Sequence, residues 1–170
     1  MKKLIQLSSS PLVFISRLGL LPANISPLGS YGFFGGQPLL YLAIIIAFDA
    51  LVGGFYPGFW VTYLGFAAYP LLGKLANHKL KRQLLLLPLA SFGFYLISNL
   101  GVWWYWYPHT MVGLTTCYAL ALPFYKKTLL GDLGFGYGFL LIRSLNFKLS
   151  EESPSRITPV CPRLSFPPER

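Results

Sequence analysis

Residues 84–128 read LLLLPLASFGFYLISNLGVWWYWYPHTMVGLTTCYALALPFYKKT, and their reading decides the fold. Between Gln83 and Lys126 there is no Lys, Arg, Asp or Glu. A stretch this long cannot be the core of a small water-soluble domain, because nothing on it is left to face water. It breaks into two apolar runs joined by the aromatic turn Trp103 to Tyr107 and closed by Pro108. The expected structure is a membrane hairpin with its turn at the headgroup level, where amphipathic rings are favoured.

The rest of the composition agrees. Charged residues make up 11% of the 170, against roughly 25% in ordinary globular chains. The net charge of +9 would suggest nucleic acid in a soluble protein. Here the basic residues lie in short connections and in the tail, where they orient spans and meet anionic headgroups. No nucleic-acid partner is expected. Cys117 and Cys161 fall in different settings, one in a span and one in the tail, so no disulfide framework or metal-ligand spacing is present.

Taken in order, residues 1–24 form an N-terminal segment, either a surface helix or the start of a first span, since Ser8-Ser9-Ser10-Pro11 and Arg17 interrupt its apolar character. The helical membrane domain covers residues 25–147. It opens on the helix-start pattern Asn24-Ile25-Ser26-Pro27. Gly32 and Gly36, one helical turn apart, would let another helix approach closely; a glycine-rich turn is the alternative. Spans follow over residues 39–55 and 59–72. The polar connection from Lys74 to Gln83 leads into the hairpin, Lys126-Lys127 closes it, and residues 129–145 form the last span. Several runs are shorter than the roughly 20 residues needed to cross hydrocarbon, so their helices must extend into the turns or sit in a thin bilayer. From residue 148 to 170 the prolines and acids cannot bury enough surface to order the chain, and a disordered tail is expected. Lys and Arg divide almost evenly between the two sides of a six-span arrangement, so orientation stays open.

Four residues stand out as ligand-binding candidates. Asp49 lies inside a span, where a carboxylate must be protonated, hydrogen-bonded or facing a wet cavity; it marks a ligand or ion site, or an interhelical bond. Asp132 follows Thr128 and Gly131 near a span start, as a site residue or a helix cap. Only Lys126 and Lys127 are near enough in sequence to pair with it. Asn99 bonds across helices or to a polar ligand. Trp103 heads an aromatic cluster that is either an interfacial anchor or a stacking wall. His109 has no companion for metal binding nearer than His78. No nucleophile elbow, zincin helix or phosphate loop is present, so neither enzyme chemistry nor a cofactor or metal is expected.

The pattern Asn24-x-Ser26-Pro27, Gly35-Gly36, Asp49, Ser98-Asn99-x-Gly101-Val102-Trp103, Tyr107-Pro108-x-Thr110-x-x-Gly113-Leu114-x-x-Cys117-Tyr118, Pro123-Phe124 and Thr128-Leu129-x-Gly131-Asp132 resembles a family of small, uncharacterised bacterial integral membrane proteins. The resemblance covers about residues 20–145. That family's plan is similar to the substrate-binding membrane components of energy-coupling-factor transporters, which capture vitamins or metal ions. The likeness implies a bacterial cytoplasmic-membrane location and docking of an energising subunit through Ser26, Ser30, Gly32 and Gly36.

The sequence therefore predicts an all-α integral membrane protein, a compact bundle of about six (five to six) transmembrane helices with a disordered C-terminal tail. The expected role is a small-ligand-binding membrane subunit of an uptake transporter, its pocket lined by Asp49, Asn99, Trp103 and Asp132. The alternative is a non-transporting assembly protein of a larger complex, with lipid and other subunits as its partners.

Overall fold

Glycine and alanine along two successive apolar segments let their backbones approach, and this pairing is the frame on which everything else is hung. A computed structural model describes residues 22, 24–35 and 37–151 of the chain. Among them every regular element is helical: α1 (Leu28–Phe34), α2 (Pro38–Phe48), α3 (Phe59–Ala76), α4 (Leu80–Trp106) and α5 (Met111–Glu151). Helices α3 and α4 form the tightest pair. A Cβ on Gly101 would stand 2.7 Å from Cβ of Val61, and Gly65 lies against Phe94. The reversal between them is tight because Asn77 and His78 both take positive φ, 46° and 57°. The basic connection expected over Lys74–Gln83 thus shrinks to Asn77, His78 and Lys79, its flanks having joined the two helices.

Helix α5 runs antiparallel along α4, and tyrosines tie the two together. Tyr95 donates to the carbonyl of Tyr118 (2.7 Å) and Tyr118 to that of Leu96 (2.7 Å). Tyr137 donates to the carbonyl of Leu84 at 3.0 Å. That carbonyl needs a partner: Pro88, four residues on within α4, has no N–H to offer it. Tyr137→Phe should therefore lower unfolding free energy in detergent by about 1 kcal/mol, read by denaturant titration.

The short helices cover one side. Phe33 of α1 packs with Tyr69, Ala76, Leu87 and Ala90 in the main apolar cluster. Leu28, Tyr41 and Ile45 form a second cluster where α1 meets α2. Beyond α2 the chain widens into a π-helical turn over Asp49–Gly53, a local form often found at functional positions.

Three expectations are corrected. Lys126-Lys127 does not close a hairpin: residues 111–151 form one helix of 41 residues, so the arm and the last span are a single element. Lysine is a good helix former, and no glycine or proline lies beside the pair to break the turn. The aromatic turn begins later, because α4 continues to Trp106. Helix α5 extends through Glu151, past the expected boundary at residue 147. Among the described residues α4 is the one helix long and apolar enough to cross a membrane. Residues 1–21, which hold most of the N-terminal segment, and residues 152–170, which hold most of the tail, lie outside the described residues.

Candidate functional site

Residues 24–27, just ahead of α1, are not helical. Asn24 sits at φ 67°, and Ile25 donates its N–H to the carbonyl of Pro22 at 2.9 Å. This irregular strip crosses α5 at Gly131, where a Cβ would come within 3.0 Å of the Ser26 nitrogen. Its far end, at Asn24, forms one edge of a cleft of about 210 Å³ between α4 and α5.

The cleft is lined by rings and by polar side chains. Phe94, Tyr95, Phe124 and Tyr125 supply the rings; Asn24, Ser98, Asn99 and Thr128 supply the polar atoms. Tyr95 and Tyr125 pack with centroids 4.7 Å apart. Three of the polar side chains are turned back onto their own helices. Ser98 donates to the Phe94 carbonyl (2.7 Å), Asn99 Nδ2 to that of Tyr95 (2.8 Å) and Thr128 to that of Phe124 (3.1 Å). Hydroxyl groups inside apolar helices commonly bond the carbonyl one turn back.

One turn along α5 from Thr128, on the same face, is Asp132, 1% exposed. Tyr69 of α3 donates to its Oδ2 at 2.5 Å. Ser30 of α1 donates to its backbone carbonyl at 2.8 Å. The hydroxyl of Ser91, wholly buried, faces both Tyr69 and Asp132 without closing a hydrogen bond. Gly29 lies directly on the carboxyl, so that a Cβ there would stand 2.2 Å from Oδ1. Asp132 has no cationic partner among the described residues. Lys126 and Lys127 are exposed, on the other side of α5 from the face carrying Tyr125, Thr128 and Asp132.

The four expected site residues are held by different neighbours. Asn99 lines the cleft; Asp132 does not, lying one turn along α5 from the lining residue Thr128. Asp132 is not a helix cap, since α5 begins at Met111, far upstream. Asp49 lies in the π turn, 7% exposed, and accepts a bond from Tyr63 at 2.8 Å, the interhelical bond that was its alternative. Trp103 donates to the Pro108 carbonyl at 3.1 Å, and its neighbour Trp104 stacks on His109 with centroids 4.6 Å apart. That aromatic end is organised by its own contacts, as an interfacial anchor would be. Gly32 admits Tyr41, whose ring would be 2.6 Å from a Cβ there. With Ser30 bonded to α5, these two positions of the expected docking stripe are used inside the fold; Gly36 lies outside the described residues. Tyr69, Ser91 and Gly29 were not foreseen. A tyrosine beside proline near a span end reads as an interfacial anchor, and nothing local ties it to an acid 63 residues away.

A family model described as a family of unknown function (DUF6580) matches residues 2–151. The chain belongs to that family. The match to DUF6580 takes in the cleft, both aspartates and the whole of α5. Among curated proteins and among solved structures, none matches the chain.

Proposed function

We propose that this DUF6580 chain is an integral membrane protein that binds a small molecule in the cleft between α4 and α5, as the capture subunit of an uptake transporter. The observation that carries the membrane setting is the exposure of α4. Only 28% of its most apolar 18-residue window is buried, whereas a core helix in a soluble protein is mostly buried. Leu85, Leu89, Leu96 and Leu100 face outward from it, as do Leu64 and Leu71 of α3 and Leu120, Leu122 and Leu130 of α5. Twenty-seven residues of helix are about 40 Å long, enough for roughly 30 Å of hydrocarbon. The ligand role rests on the cleft: irregular backbone at this depth is tolerated in lipid where it lines a cavity.

One observation favours a second reading, a non-transporting assembly protein. Lys126 and Lys127 adjoin Tyr125, which packs on Tyr95 near the middle of α4, yet both are exposed. A lysine facing lipid at mid-depth costs roughly 2.5–3.5 kcal/mol. Carboxylates of a partner subunit would relieve that cost.

The test is purification in detergent, followed by mass spectrometry of released small molecules. The capture reading expects a bound compound, lost in an Ala121→Trp variant that fills the cleft and still folds. A stable stoichiometric partner without any compound supports the second reading. Full solubility of the chain without detergent overturns both.

A further inference from the structure

The polar atoms of the cleft share a bias. The hydroxyl hydrogens of Ser98 and Thr128 and one amide hydrogen of Asn99 are committed to helix carbonyls, and the Tyr95 hydroxyl hydrogen to the carbonyl of Tyr118. What these groups turn to an occupant is therefore lone pairs, together with the π faces of the surrounding rings. The donors left are the amides of Asn24 and Asn99 and the hydroxyl of Tyr125. Among the described residues no Lys, Arg or His lines the cavity. Tyr125 lies within electrostatic reach of Asp132, two turns along the same helix face.

Resting on the ligand-binding reading above, we propose that the occupant is a small organic cation, a protonated amine or quaternary ammonium group. Acceptor oxygens and ring faces attract positive charge, and aromatic enclosures are a recurrent solution for ammonium ligands. The same surface offers phosphates and carboxylates a few neutral donors but, among the described residues, no cation to offset their charge. A carboxylate buried without a cation is costly, and a positive charge one turn away lowers that cost; the occupant and an ionised Asp132 stabilise each other. The volume of about 210 Å³ is below the roughly 300–1,000 Å³ of drug-sized sites, which limits the occupant to a few heavy atoms. Lys126 and Lys127 do not oppose this, because they point away from the cleft into the surroundings.

The test uses the full chain in detergent with choline and its uncharged isostere 3,3-dimethylbutan-1-ol as probes, followed by thermal unfolding and calorimetry. The expected result is binding of choline at least about tenfold tighter than the isostere. Asp132→Asn keeps an acceptor for Tyr69 and should weaken choline about tenfold while leaving the isostere unchanged. If that variant does not fold, Thr128→Val, which removes one set of lone pairs at nearly constant shape, should weaken choline several-fold. Equal affinity for both probes overturns the cation and leaves the cleft as a binding site. Binding of neither also overturns it, and the copurified compound then decides the capture reading independently: a neutral one keeps it, none sinks it.

Discussion

Gly73→Ala should prevent stable docking of α1, with a loss of about 3 kcal/mol or more in unfolding free energy and a sharp fall in the yield of monodisperse protein. A Cβ at this position of α3 would stand 2.0 Å from the carbonyl oxygen of Phe33. The oxygen belongs to backbone and a Cβ is fixed rigidly to its own, so neither can swing aside, and α1 must lift from α3. Lifting α1 removes Phe33 from the main apolar cluster and takes Gly29 and Ser30 from Asp132. The control is Gly134→Ala on α5, where the new methyl meets nothing within 4 Å. It should be neutral or stabilising by up to about 1 kcal/mol, from helix propensity alone. Equal effects at the two positions would show that α1 does not pack where it is placed here.

Tyr69→Phe is the second large effect. It deletes the donor on Asp132 Oδ2 and leaves a buried carboxyl facing Ser91 and apolar neighbours. Hydrogen bonds to such groups contribute roughly 1.5–3 kcal/mol, and a loss of that size is expected in denaturant unfolding. In an Asp132→Asn background the same deletion should cost about 1 kcal/mol, since the bond to a neutral acceptor is weaker. A double-mutant cycle separates this coupling from any general loosening of α3. Additive costs would mean that the pair does not interact.

How far the sequence foretold these positions depends on which were set locally. The apolar hairpin was legible because Leu84 to Tyr125 carries no charge to contradict it. Asp49 was legible as well, its interhelical bond to Tyr63 being one of two readings open to an acid in an apolar run. Lys126-Lys127 has the charge of a loop in the sequence, yet it is only the outer face of a helix that turns polar there. A loop at that point would put a helix start at residue 129 and make Asp132 a cap. Tyr69, Ser91 and Gly29 stayed hidden for another reason. They meet Asp132 from three separate helices, and a convergence across 41 to 103 positions leaves no periodicity for a single sequence to display.

The unbroken length of α5 has a mechanical consequence. Its 41 residues extend about 61 Å, some 20 Å more than α4. Pro123, flanked by cleft residues Ala121 and Phe124, weakens the ladder at one point, the place where a helix most readily bends. The occupant proposed above would meet Phe124 and Tyr125 close to that pivot. Arg143 stands about 27 Å further along the same rod, past the contacts at Gly131, Asp132 and Tyr137 that clamp α5 to its neighbours, so any bend at the pivot is taken up between the cleft and that clamp.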